Sequence, residues 1–198
     1  MTTTTAAVHV GPLAVAHRAR IRSILDATGV FRSEEVDVAL ELFDETFSRD
    51  TRPITGAATA ATPRNDAPPT DSTYVFLGAF TPEDELVGYA CYGPTPDTDR
   101  TFDLYWIAVD PAVQGTGGGT RLMTEVERRL EGLNARMLVV ETSSRPEYAP
   151  TRAFYERRGY AEAARIREFY APGDDRVIFT KRFQGILNSS AGRGAVQQ

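Results

Sequence analysis

The sequence predicts an α+β domain. Two observations carry this reading. Short β-rich runs come in pairs joined by tight, Pro- or acid-rich turns, while helical runs with apolar residues every three or four positions stand between the pairs. A cluster of glycines, Gly115 and Gly117 to Gly119, joins the apolar run Leu104 to Val109 to the amphipathic run Thr120 to Leu133. Read along the chain, the order is β, α, α, three strands, α, β, α, two strands.

The elements follow in that order. Residues 1–9 read as a disordered tail and Leu13 to Val15 as a short first strand. A helix over Ala16 to Thr28 puts Ile21, Ile24 and Leu25 on one face, with Gly29 as its stop. A second helix has Ser33 as its N-cap, Glu34 and Glu35 complementing the helix dipole, and an apolar stripe of Val36, Leu40, Phe43 and Phe47. Residues 51–73, rich in Thr, Ala and Pro, have too few large apolar side chains to pack and read as a flexible loop or lid. Tyr74 to Phe80 and Leu86 to Tyr92 form a hairpin, and Phe102 to Val109 is the next strand. After the glycines, Leu122, Val126, Leu130 and Leu133 recur at helical spacing, and Met137 to Glu141 is a short buried strand. Pro150 to Arg158 reads as a helix, with Pro150 tolerable at its start and Gly159 at its end. Strands over Ala163 to Tyr170 and Arg176 to Phe183 are joined by a turn built on Pro172-Gly173, and residues 185–198 read as a disordered tail. The expectation is one domain over residues 10–184.

Length and composition exclude several classes of function. A chain of 198 residues, 41% of them hydrophobic, suits one core. A net charge of −5 offers no basic surface for nucleic acid. No apolar run approaches the roughly 20 residues of a membrane span, and Met1 to Thr5 lacks a signal-peptide pattern, so a cytoplasmic protein away from the membrane is expected. The single cysteine, Cys91, forms no internal disulfide and reads as a buried strand residue. With histidines only at His9 and His17, no metal site is expected.

The glycine cluster carries the chemistry. Its residues let the backbone adopt positive φ and bring successive N–H groups close to an anion, and the helix behind adds its positive end, so the ligand should carry phosphate. The segment is not a Walker loop, because Gly119 is followed by Thr120 and Arg121 instead of Lys and Ser/Thr. It is also a poor dinucleotide fingerprint, having no βαβ partner closed by an acidic residue.

Three segments together resemble the GCN5-related N-acetyltransferase (GNAT) family. They are Ile107-Ala-Val-Asp-Pro111 entering Gln114-Gly-Thr-Gly-Gly-Gly119, the strand end Val140-Glu-Thr142, and Thr151-Arg-Ala-Phe-Tyr-Glu-Arg-Arg-Gly-Tyr160. The resemblance covers roughly Leu13 to Phe183. It implies the acyl-CoA N-acyltransferase fold, a mixed, mostly antiparallel twisted sheet flanked by helices. It further implies acetyl-CoA as acyl donor, with no metal, held by backbone groups of Ile107, Ala108 and Val109 along the pantetheine arm. The pyrophosphate would lie against Gln114, Gly115, Thr116, Gly117, Gly118, Gly119 and Thr120, with Arg121 assisting.

By the same resemblance Tyr155 is the general acid that meets the leaving thiolate, and a backbone N–H near Val109 meets the carbonyl oxygen. Two carboxylates compete for the base. Glu141 resembles the base of members that modify protein N-termini, whereas Asp103 stands where histone-type members carry a glutamate. Position leaves both open, and the longer side chain of Glu141 favours it. Many members place an asparagine seven residues before the helix tyrosine, and here that position is Tyr148. Tyr105 and Trp106 read as core or cleft wall, and Glu141, Asp103, Glu168, Asp174 and Asp175 together suggest a negative cleft mouth. The expected reaction is direct acetyl transfer to a primary amine of a small acceptor, with a protein amine and a homodimer left open. The alternative is a non-catalytic acyl-CoA-binding sensor or partner module. A longer acyl donor, or decarboxylation of a malonyl thioester, is also compatible with the sequence.

Overall fold

The computed structural model describes residues 8–49 and 74–183, so the expectations for the 51–73 loop and for residues 185–198 lie outside it. The elements are β1 His9–Pro12, α1 Arg18–Thr28, α2 Ser33–Arg49, β2 Val75–Phe80, β3 Leu86–Pro94, β4 Thr101–Val109, α3 Gly118–Gly132, β5 Met137–Ser143, α4 Ala149–Arg157, β6 Ala161–Ala171 and β7 Asp174–Arg182. The strands form one seven-stranded sheet in the order β1-β2-β3-β4-β5-β7-β6. Every neighbouring pair is antiparallel except β4 with β5.

The sheet is covered on both faces. On one, Ile21, Ile24 and Leu25 of α1 and Val36, Leu40 and Phe43 of α2 pack on Phe76, Tyr89 and Cys91. On the other, Leu122, Met123, Val126 and Leu130 of α3 pack with Leu104, Leu138, Val140 and Tyr155. The helical spacing of α3 and the nearly continuous apolar strands β2 and β3 are what such a three-layer arrangement requires.

The first strand is corrected by the structure. It spans His9–Pro12, pairing with Phe80 to Leu77, and Val15–His17 is a 3₁₀ turn. Leu13 is buried through its side chain against α1 and α2, outside any ladder, and Val8, expected in a tail, is buried in the opposite layer. Ser33 is the first residue of α2 and not its cap. The Glu35 carboxylate instead reaches back to accept from the Arg32 N–H at 2.8 Å.

Candidate active site

The parallel pair β4–β5 is registered only from Thr101–Met137 to Leu104–Val140. Beyond Leu104, β4 stays with β3 as far as the Gly88–Val109 pair, while β5 stays with β7 as far as Ser143–Arg176. The two strands therefore part, and the Tyr105 to Val109 edge that faces β5 has no strand partner. A β-bulge opposite Cys91/Tyr92 makes Tyr105 the extra residue of β4. It turns Trp106 and Ala108 toward the α1/α2 layer and Ile107 and Val109 toward the α3 layer.

Two cavities open at this fork. The larger, of about 590 Å³, runs along Ile107 to Val109, touches Gln114, Gly115 and Gly119, and is closed by Phe154 and Tyr155. The smaller, of about 440 Å³, lies between the α1–α2 connection and the β6–β7 turn. They share the lining residues Phe31, Tyr105, Trp106, Glu141, Thr142 and Tyr148, and so form one cleft through the sheet.

The approach to the glycine loop is fixed by Asp110. Its carboxylate accepts from the Ala112 N–H at 2.8 Å and from Arg20 at 2.6 Å, and these two bonds, the first foremost, hold its pKa below the usual carboxylate range. Gly115 and Gly117 then adopt φ of 83° and 89°, a region closed to most side chains. Helical bonding begins with Arg121 N–H to Gly117 O at 2.9 Å, so the N–H groups of Gly118, Gly119 and Thr120 have no acceptor within the helix. A Cβ placed on Gly115 or Gly117 would meet no other heavy atom within 4 Å, so the loop is bounded by open space. Thr116 turns its hydroxyl back to Val113 O at 2.8 Å. Thr120 and Arg121 are exposed on the first turn of α3, outside the cavity lining.

Tyr155 sits where α4 meets the fork. It is 3% exposed and packed against Phe154, Tyr160 and Phe179, and its hydroxyl makes no hydrogen bond with the described residues. Burial pushes the phenol well above its ordinary pKa. The group is therefore a protonated donor at neutral pH.

The two candidate carboxylates are separated by the fold. Glu141 lines both cavities, but it is exposed rather than buried, and the Arg176 guanidinium of β7 donates a hydrogen bond to it. Asp103 lines neither cavity. It lies on the stretch of β4 still paired with β5, opposite Val139, and accepts from the Thr95 hydroxyl at 2.7 Å. Proximity to the cleft thus distinguishes two residues that the sequence left open.

Of three further residues at the cleft, only Tyr148 stands out in the sequence, as a departure at the family's asparagine position. Thr142 is 6% exposed, and its hydroxyl has no hydrogen-bond partner among the described residues although it lines both cavities. Tyr148, in the asparagine position, donates to Val30 O at 3.2 Å, and Arg145 donates to the same carbonyl at 3.2 Å, which ties the α1–α2 connection to the segment before α4. Arg176, besides binding Glu141, lies over the Phe169 ring at 4.8 Å.

The electronegative mouth expected from the last hairpin is corrected. Asp174 pairs with Arg145 at 3.5 Å, and Asp175 pairs with Arg165 at 3.3 Å while also accepting from the Glu168 N–H. The Glu168 carboxylate accepts from the Gly173 N–H at 3.2 Å. Neighbouring arginines absorb most of the charge that a residue count suggests.

Comparison with known proteins agrees with this geometry. The family model described as the Acetyltransferase (GNAT) family matches residues 38–160. A crystal structure of a protein from Desulfovibrio desulfuricans described as a GNAT-family acetyltransferase is 38% identical, with a TM-score of 0.75, covering 89% of this chain and 99% of that one. The ribosomal-protein-S18-alanine N-acetyltransferase of Escherichia coli shares the fold at 18% identity and a TM-score of 0.64, covering 91% and 98% of the two chains. The Salmonella typhimurium protein yncA, whose structure contains acetyl-CoA, is 17% identical with a TM-score of 0.62, covering 96% and 99%. A comparison with the curated proteins finds no match. The chain belongs to the GNAT family of acetyltransferases. Its fold is the acyltransferase fold, and acetyl-CoA is the cofactor that this family brings to such a cleft. The residues present fit it: unpaired N–H groups beside open space for phosphate, and an unpartnered β4 edge for an extended amide chain. Among the described residues, no group of three or more His, Cys, Asp or Glu could hold a metal ion, and no helix is long and apolar enough to cross a membrane.

Proposed function

We propose that this protein transfers the acetyl group of acetyl-CoA directly to a primary amine of a small acceptor. The observation that carries the reading is the position of the buried Tyr155 side chain, whose hydroxyl makes no hydrogen bond with the described residues, in the same cavity as Gln114, Gly115, Gly119 and the unpaired edge of β4. The backbone N–H groups of Gly115 and of Gly117 to Thr120 bind the pyrophosphate, with the N-terminus of α3 behind them, while the Thr116 N–H stays on Val113 O. The open edge of Ile107 to Val109 takes the pantetheine arm as an added strand would be taken, and a backbone N–H near Val109 meets the carbonyl oxygen.

Acetyl-CoA supplies the activated acyl group. An amine with a pKa near about 10.4 enters protonated and must lose a proton before it can attack. Glu141 accepts that proton, directly or through water, because it alone of the two candidate carboxylates borders the cleft. Tyr155 hydrogen-bonds the departing sulfur and gives it a proton; burial keeps the phenol neutral but makes it a weaker acid, so the hydrogen bond to sulfur is the larger part of its role. Asp103 then acts from the paired part of β4 as a structural partner of Thr95.

A screen of amine acceptors with acetyl-CoA, following thiol release against a blank without acceptor, tests this reading. Acceptor-dependent release supports it. Tight acetyl-CoA binding with no release on any amine would contradict it.

A further inference from the structure

We propose that the acceptor is an alkyl primary amine that bears an aryl or similarly bulky apolar group on its chain, and that the smaller cavity holds that group. The inference rests on the amine acetylation proposed above and names its substrate class.

Five aromatic side chains from four segments converge on this cavity: Phe31 between α1 and α2, Tyr105 and Trp106 at the bulge of β4, Tyr148 before α4, and Tyr170 at the end of β6. A volume of about 440 Å³ lies within the usual range of small-ligand pockets. Such rings supply apolar area, edge-to-face contacts to another ring, and their π-faces for one positive charge.

The ionic groups of the lining are already used. Arg32 pairs with Glu35 at 3.5 Å, Arg145 with Asp174 at 3.5 Å, and Glu141 with Arg176. A polycationic acceptor would find no row of unpaired carboxylates there, and an acceptor bearing a carboxylate would find no unpaired guanidinium. Either would exchange hydration for already satisfied partners, which is costly. Among the described residues, the Thr142 hydroxyl is the buried polar group of this lining without a hydrogen-bond partner, at the junction of the two cavities. One hydroxyl suits one amine nitrogen.

The test compares 2-phenylethylamine, spermidine and phenylalanine as acceptors for the full chain at saturating acetyl-CoA. The expected result is a kcat/KM for 2-phenylethylamine at least about tenfold above the other two. Phe31→Ala and Tyr170→Ala should each raise its KM about tenfold with kcat nearly unchanged. Tyr170 is partly exposed, so its variant tests the pocket even if the Phe31 variant folds poorly. Trp106 is the chain's single tryptophan, so its emission reports occupancy of the cleft without any turnover. A preference for spermidine or phenylalanine, or an unchanged KM in Tyr170→Ala, overturns the assignment. If no amine is acetylated but 2-phenylethylamine shifts Trp106 emission saturably and Tyr170→Ala weakens that shift, the pocket assignment stands and amine acetylation falls. With neither turnover nor an emission change, both fall.

Discussion

The Arg176 guanidinium holds the Glu141 carboxylate at the mouth of the β4–β5 fork, across the β5–β7 ladder. A bidentate-capable guanidinium restrains the rotamer of the carboxylate it binds. Glu141 is therefore presented to the cleft as an oriented group, whereas Asp103 is bound to Thr95 outside it. Glu141→Gln should lower kcat by about 10²–10⁴-fold and remove the acidic limb of its pH profile, and Asp103→Asn should do neither. Steady-state rates across pH for both variants check this, and the opposite assignment of the limb would make Asp103 the base.

The glycine loop gives a prediction about binding. Gly117→Val puts a β-branched side chain at φ 89°, which costs about 1–2 kcal/mol, and projects it into the open space beside the helix N-terminus. Wild-type protein should be stabilised by acetyl-CoA by about 2.7 kcal/mol at a hundredfold excess over its Kd. The folded variant should lose most of that gain. Thermal melts with and without acetyl-CoA measure it, and wild-type-like stabilisation of Gly117→Val would remove the phosphate assignment.

Thr142 separates stability from activity. A buried hydroxyl without a partner costs of order 1–3 kcal/mol, and valine has nearly the same shape without the polar atom. Thr142→Val should raise stability by roughly 1 kcal/mol and lower kcat/KM for the acceptor about tenfold. Denaturant unfolding and initial rates check the two halves. A destabilised variant with full activity would mark the threonine as structural.

The order of elements was legible because it rests on local signals: helical spacing in α3, β-rich runs in β2 and β3, and glycines at the loop. The first strand was not. His9–Pro12 contains Gly11 and Pro12 and owes its pairing to Phe80 through Leu77, whereas the apolar Leu13 looks like a strand residue but is buried from a loop. The catalytic candidates Tyr155 and Glu141 were visible through resemblance. Tyr105 and Trp106 read as core or cleft wall, but Arg176, Phe31 and Tyr170 were not legible, because they stand on separate segments that only the fold brings to this cleft. Charge counting failed at the last hairpin for the same reason: the arginines that pair with its acids meet them through tertiary structure.

The most direct test of acetyl transfer by this cleft is the single-turnover rate of Tyr155→Phe with acetyl-CoA and an accepted amine, measured from pH 7 to about 10. An acid must carry its proton to act, and burial raises the phenol's pKa, so wild-type transfer should show no alkaline loss from this group across that range. Tyr155→Phe should slow the step by about 10²–10⁴-fold while acetyl-CoA stabilises the variant as it does the wild type. An unchanged rate, with chemistry limiting, would contradict the account.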